Sequence, residues 1–431
     1  MPSGSICWTN PGRAYSMGKI LLVILVLTIQ PLKTFALARL SLSGEGHTIA
    51  TYFPEGGLFE DRGRMYLKTT FSPTGWLFFM VSGYGEFLSR SQVEDGSAAN
   101  FRLHETYMEL RGSFVELRAG YSNVVWGVLD EIQPSDVINP LDVSWFFFEG
   151  RSKARLPIPL LAGRFYLPED IRVELIMVPF FERGLFDQLG QDTSPFNVEA
   201  TQIPPGLPRR EKLPEVTLRE IEYGGRISWT LRRIDFDFFA FRGREDFPVY
   251  IIPALSHLTY PLELVVVETF PRFTLLGADL ETVIGNWGLR LEGAYFPSDT
   301  FQHPVGYEAV EGNSFQVGIG ADRTFYDDYV LNGDLVYQRR RADGDFMESP
   351  EELNLVAGLE RSFRYDLDKI RFFAVYNPLD QTVFLRGGGR HNLFYNFWIE
   401  LSAGVFLGSG NDLIGRFEAA DFIFLRGKYY F

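Results

Sequence analysis

"FIFLRGKYYF" closes the chain at residues 422–431, and its reading decides the fold. Ile423, Leu425, Tyr429 and Phe431 fall on one face of a period-2 pattern interrupted only by Gly427. Arg426, Lys428 and Tyr430 fall on the other. Successive side chains of a strand point to opposite faces, so this is a strand pattern. Terminal residues fray unless something ties them down. The pattern therefore predicts a last strand paired along its length with another part of the chain.

The same alternation recurs from about residue 39 onward. "FVELRAGY" sets Val115, Leu117, Ala119 and Tyr121 against Glu116 and Arg118. "IRVELIMV" places Val173 between Arg172 and Glu174, and "WGLRLEGAYF" opposes Trp287, Leu289, Leu291 and Tyr295 to Arg290 and Glu292. Short connections at 72–75, 111–113, 167–170, 231–233, 284–286 and 326–328 take turns with long ones at 122–157, 181–218, 244–270 and 297–312. Tight turns at one end and long loops at the other are the layout of an all-β, transmembrane, up-and-down antiparallel β-barrel. With "RLSLSGEG" near residue 40 as the first strand the count is about 18; merging the pieces around 369–388 gives 16. "LFYNFWIELSAGVFL" (393–407) reads as one strand, with Leu393, Tyr395, Phe397, Ile399, Leu401, Ala403, Val405 and Leu407 on its apolar face. Its length exceeds the roughly 9–11 residues that cross a bilayer, so it is expected to project beyond it. The Pro-rich patch from Pro195 to Pro214 reads as a long surface loop.

Composition agrees. Aromatics make up 16% of the residues, yet mean hydropathy is −0.04 and hydrophobic residues total 46%, too polar for a bundle of membrane helices. A net charge of −14 excludes nucleic acid as a partner, because phosphate contacts need a basic surface. Residues 17–38, "MGKILLVILVLTIQPLKTFALA", carry Lys19, an apolar run from Ile20 to Ile29 and the small-x-small site Ala36-Leu37-Ala38. That is the build of a signal peptide, too short to span a bilayer as a helix. The expected organisation is therefore 1–38 signal peptide, with 1–16 an over-extended start before Met17, and 39–431 barrel. Cys7, the single cysteine, lies in the removed part, so no cysteine metal site, disulfide or thiol nucleophile is expected. No later stretch approaches 18 uninterrupted apolar residues, so the mature protein is either soluble and secreted or crosses lipid without helices, as a closed barrel.

With apolar faces toward lipid, the opposite faces line a lumen. Residues two apart share a face, so Glu116/Arg118, Arg172/Glu174 and Arg290/Glu292 are opposite-charge pairs pointing inward, and Asp235/Asp237 and Asp279/Glu281 are like-charge pairs. They form either a salt-bridge lattice that stiffens the wall or a polar conduit with an acidic bias. No excess of Arg or Lys marks an anion pore. The histidines His47, His104, His257, His303 and His391 are scattered, with no HExxH spacing, GxSxG elbow or phosphate-cradling glycine loop. Neither catalysis, metal nor cofactor is expected.

The first long connection is unusual. In "GYSNVVWGVLDEIQPSDVINPLDVSWFFFEGR" (120–151), Asn139-Pro140 initiates a turn that Asp142 can cap. The cluster Trp145-Phe146-Phe147-Phe148 is too apolar to lie bare. Either the loop folds inward as a constriction or it packs at the membrane rim in an aromatic girdle.

Trp126-Gly127, then Ile138-Asn139-Pro140-Leu141-Asp142-Val143-Ser144, then Leu156-Pro157-Ile158-Pro159, resemble the "WG…INPxDVS…LPxP" elements of a proteobacterial outer-membrane barrel family filed as a domain of unknown function. Alginate-export-type porins are its more distant relatives. The resemblance implies uptake or export of hydrophobic compounds. The chain's ending also resembles the C-terminal signal of outer-membrane barrels, which implies that the barrel assembly machinery reads Leu425, Tyr429 and Phe431 before the last strand closes on the first. The sequence thus leads to an outer-membrane channel or porin-like transporter of a Gram-negative bacterium, bounded by lipid and lipopolysaccharide. It passes a small, apolar solute through a gate formed by 122–157. The alternative is a non-conducting structural or adhesive barrel.

Overall fold

The structure, a computed structural model, describes residues 39–92, 96–185, 195–197, 207–252, 265–302, 308–326, 328–342, 350–409, 412 and 414–431. The expected signal peptide, His257, His303 and most of the Pro-rich patch lie outside them.

Period-2 segments become strands. In chain order they are β1 (Arg39–Phe53), β2 (Leu58–Thr74), β3 (Leu77–Arg90), β4 (Ser97–Arg111), β5 (Val115–Ser122), β6 (Ile158–Leu167) and β7 (Ile171–Val178). Then come β8 (Arg209–Lys212), β9 (Glu222–Leu231), β10 (Ile234–Arg244), β11 (Val249–Ile251), β12 (Val266–Thr269), β13 (Arg272–Ile284) and β14 (Trp287–Gln302). The last are β15 (Ala309–Phe325), β16 (Tyr329–Ala342), β17 (Glu351–Phe363), β18 (Asp368–Asn377), β19 (Thr382–Phe394), β20 (Phe397–Leu407) and β21 (Phe422–Tyr430). β8, β11 and β12 make a small separate sheet in the long connections. The other eighteen form one antiparallel sheet, each strand pairing with the next.

β21 closes that sheet by pairing with β1, Glu45 opposite Tyr430 through Tyr52 opposite Ile423. The product is a closed 18-stranded barrel, the upper end of the expected range, because 368–377 and 382–394 are separate paired strands. Every expected short turn joins two strands at one end of the barrel, where β1 begins and β21 ends. Gly285, at φ 63°, supplies the left-handed residue in the Ile284 to Trp287 hairpin.

Two expectations fail at the ends of strands. The stretch 393–407 is not one strand: the chain reverses at Tyr395-Asn396, with Phe394 opposite Phe397. Tyr395 takes φ 31°, a turn conformation that its aromatic side chain conceals in the sequence. The expected long connection 297–312 is mostly strand, since β14 and β15 stay paired out to Gln302 opposite Ala309, across a register shift between Phe296 and Asp299.

The packed interior lies inside the barrel, and its wall is banded. Toward the long-loop end, where β2 and β3 place the buried Glu60, Arg62 and Arg90, many inward residues are nonetheless apolar, among them Phe239, Phe241, Phe273, Leu275 and Phe296 on one side and Phe384, Phe406, Phe422 and Phe424 on the other. Toward the short-turn end the same strands carry charge: Asp279 and Glu281 follow Leu275, and Arg426 and Lys428 follow Phe424. The expectation of a uniformly polar lumen therefore holds only in part: much of the long-loop end is aromatic because a chain segment packs against it. Outward faces bear Ile423, Leu425, Leu401 and their like, exposed as a lipid-facing wall requires.

Candidate functional site: an inward loop and the cavity beside it

The segment between β5 and β6 is the occupant of the aromatic band. It turns into the barrel, forms helix α1 (Val143–Glu149) and the single turn α2 (Arg151–Ala154), and returns to the wall at Ile158. Trp126, Trp145, Phe147 and Phe148 are all buried within the barrel. Of the two readings of the aromatic cluster, the structure shows the inward fold. Phe147 packs edge-on to Phe384 at 5.5 Å and to Phe406 at 5.2 Å; Phe148 lies 5.3 Å from Phe422 and 5.6 Å from Phe424. Phe146 faces the remaining cavity.

Local chemistry shapes the loop before the wall receives it. Asn139 Oδ1 accepts from the Val124 N–H at 2.7 Å, and its Nδ2 donates to the Leu156 carbonyl at 2.8 Å, so one side chain ties the loop's two limbs. The carbonyl of Pro140 accepts from the Leu156 N–H at 2.7 Å. Asp142 caps α1, accepting from the Ser144 N–H at 3.2 Å and hydroxyl at 2.6 Å. Behind them, Asp136 takes Arg151 at 2.6 Å and Arg155 at 2.8 Å.

Wall charges then hold the loop at several places. Glu292, 0% exposed, accepts from the backbone N–H groups of Val128 (2.9 Å), Leu129 (3.1 Å) and Ser135 (2.8 Å). Gly127 permits this: at φ 101°, a Cβ there would stand 2.7 Å from a Glu292 oxygen. The Trp126 indole N–H donates to Glu174 at 3.1 Å. At the other side of the barrel Arg386 and Arg426 donate to the free carbonyls of Phe147 (2.9 Å) and Phe148 (3.3 and 2.8 Å), where a helix C-terminus favours positive charge. Arg426 also pairs with Glu149 at 2.9 Å. Arg62 reaches the Ser144 hydroxyl at 3.0 Å, and Arg64 lies 3.8 Å from the Trp145 ring centre.

The charges expected to line the lumen all stand on inward faces, but not bonded as strand-mates. Arg290 pairs with Asp130 (2.6 Å) and Asp322 (2.7 Å) rather than with Glu292. Glu174 pairs with Arg164 at 2.6 Å and Arg226 at 3.4 Å, while Arg172 bonds Ser228 at 3.0 Å. Glu116 and Arg118 approach only to 4.0 Å, because Arg118 prefers Glu109 at 2.6 Å. Asp237 faces Asp279, and Asp235 faces Glu281, directly across β10 and β13. Hence the lattice exists, woven across neighbouring strands and into the loop. Leu425, Tyr429 and Phe431 point outward at the seam.

Sequence reasoning passed over Arg62, Asp136, Arg386 and Arg426. Each is one charge in an ordinary alternating strand or polar loop; Arg62 also pairs with Glu60, and Arg386 and Arg426 with Glu400, within the wall, so nothing local marks them as the groups that receive the loop. Among the described residues no group of three or more His, Cys, Asp or Glu is placed to hold a metal ion.

A cavity of about 390 Å³ remains between α1 and the wall of β17 to β21. Phe146, Ile132, Phe373 and Val375 give it apolar walls, and Lys369, Arg371 and Arg390 stand at its short-turn side.

A closed 18-stranded barrel with tight turns at one end and a loop folded into its bore has the fold of the outer-membrane porins. OccK5 (OpdH) of Pseudomonas aeruginosa superposes with a TM-score of 0.51 at 10% identity, over 91% of this chain and 97% of that one. OccD3 (OpdP) of the same organism gives 0.49 at 12%, over 93% and 95%. A family model described as "Protein of unknown function (DUF1302)" matches residues 50–356, and the chain belongs to that family. No curated protein matches it.

Proposed function

We propose that this protein is an outer-membrane channel of a Gram-negative bacterium, passing a small solute of apolar character through a bore gated by the 122–157 loop. One observation carries the reading. The loop is held in the bore by side-chain and main-chain hydrogen bonds, ion pairs and ring contacts with the wall, all of which can break and re-form, while the barrel closes without it through β1 and β21. The aromatic band, the adjoining cavity and Phe146 favour a solute with an apolar body. Relationship to alginate-export-type porins, suggested by the Trp126-Gly127 and Asn139-Pro140 elements, belongs with the same reading. Short turns face the periplasm, the outward face meets lipid and lipopolysaccharide, and Leu425, Tyr429 and Phe431 are offered to the barrel assembly machinery.

Deleting 144–149 tests the gate. Single-channel conductance in a planar bilayer is expected to rise severalfold in the deletion relative to the parent. A deletion that is folded yet conducts no better than the parent would favour a non-conducting structural barrel and overturn the gate.

A further inference from the structure

We infer that the cavity beside α1 is an amphiphile site whose short-turn side takes an organic anion, so that the solute is an apolar body bearing a single carboxylate or similar acid. This rests on the channel reading and names the class of solute.

The argument begins with charge balance. Each of the five glutamates lining the cavity already has a cationic partner, as Glu360 has Lys369 at 2.6 Å and Glu149 has Arg426 at 2.9 Å. Arg390 makes no ion pair within 4.0 Å among the described residues, although Glu400 lies opposite it on β20; its guanidinium sits 5.4 Å from the centre of the Trp398 ring. Arg371 is held by Glu131 alone, at 3.5 Å, with its side chain 54% exposed. The site therefore carries surplus positive charge in a chain whose total is −14.

Register supplies a second observation. Lys369 and Arg390 are direct partners across β18 and β19, and Arg371 lies two residues along the same inward face; the glutamates opposite these arginines, Glu400 and Glu360, are drawn to Arg386 and Arg426 and to Lys369. Like charges set opposite each other on neighbouring strands repel. An anion between them turns that repulsion into attraction, and an arginine's planar fork suits a carboxylate's two oxygens. Above these cations, toward the long-loop end, the lining becomes Phe373, Val375 and Phe146. A ligand with its acid at Arg390 thus has an apolar wall for the rest of its length. Phosphate or chloride alone leaves that wall uncovered.

The test is binding of three water-soluble probes with one apolar body, 4-phenylbutyrate, 4-phenylbutyramide and 4-phenylbutylammonium, to the detergent-solubilised chain by calorimetry. The acid is expected to bind at least about tenfold tighter than the amide, and the ammonium most weakly. Arg390→Gln should bring the acid to the amide's affinity, and Arg390→Lys should retain most of the preference. Should Arg390→Gln not fold, Arg371→Gln asks the same question and is expected to cut the preference severalfold. Equal affinity for acid and amide, or a preference untouched by these variants, overturns the proposal. Conductance is read separately in planar bilayers. A preference for the acid in a chain that passes no current supports the site and sinks the channel; current without the preference sinks the site alone.

Discussion

Two constraints meet at Gly127. Its φ of 101° is one that L side chains rarely adopt, and the buried carboxylate of Glu292 fills the space a Cβ would take. Glu292→Gln would aim an amide at three N–H donors and weaken loop docking by about 2–4 kcal/mol. Both Gly127→Ala and Glu292→Gln are expected to leave the barrel heat-modifiable on gels while making 123–157 sensitive to protease; a resistant loop in both would refute the anchor. Asp142 adds a pH dependence. Burial pushes its carboxyl up to about 6; Glu86 adds to the rise, while Ser144, Arg64 and Arg62 oppose it. The docked loop binds this proton more tightly than a solvated loop, so docking is strongest below the ordinary value of 3.8 and weakens as pH rises through about 6. Glu149 works the other way: burial raises it, but Arg426 and Lys428 prevail and hold it below 4.5, so its contribution is lost only in stronger acid. Open probability should therefore increase from pH 5 to pH 7, and Asp142→Asn should flatten that rise. An unchanged slope in Asp142→Asn would place the titration elsewhere.

Among the elements, α1 is too short to persist alone, since isolated helices below about 12–15 residues are marginal in water. Its stability comes from its own cap, Asp142, at the start and from the wall: Arg386 and Arg426 at its end, and the aromatic band around Phe147 and Phe148. Trp145 is the largest buried side chain of the helix, edge-on to His47 at 5.4 Å and under Arg64. Trp145→Ala is expected to cost docking about 3–5 kcal/mol and to raise conductance toward that of the 144–149 deletion. Conductance equal to the parent's would show that Trp145 does not hold the gate. Elsewhere the elements were mostly legible, since parity marks a strand wherever one face meets lipid. The β19–β20 turn escaped because Tyr395 is apolar and the alternation looks unbroken across it.

At the scale of the whole molecule, closure depends on a close approach at the seam. Gly44 and Phe431 exchange backbone hydrogen bonds of 3.0 Å in both directions, and the Phe431 ring lies where a Cβ on Gly44 would be, 2.5 Å away. Gly44→Val is expected to displace that ring and lower the amount of folded barrel severalfold, as loss of Phe431 should, measured by heat-modifiable mobility of the membrane fraction. Normal levels of both variants would mean that the seam tolerates a gap and that Phe431 is no assembly signal.

The amino-acid sequence by itself determined the barrel. Alternation is a local property with period 2, and short turns between such segments fix neighbours as antiparallel partners, so strand faces and end-to-end polarity follow without knowledge of distant contacts. What fills the bore was decided only by tertiary structure. Ser135 meets Glu292 across 157 positions, and Phe148 meets Arg426 across 278. No local period records such a pairing. An inward charge reads the same whether it faces water, a neighbouring strand or an arriving loop, and an aromatic cluster reads the same at a membrane rim or in a barrel's bore. The physical difference lies in which buried N–H and carbonyl groups the wall can satisfy, and that is settled when the sheet has closed around them.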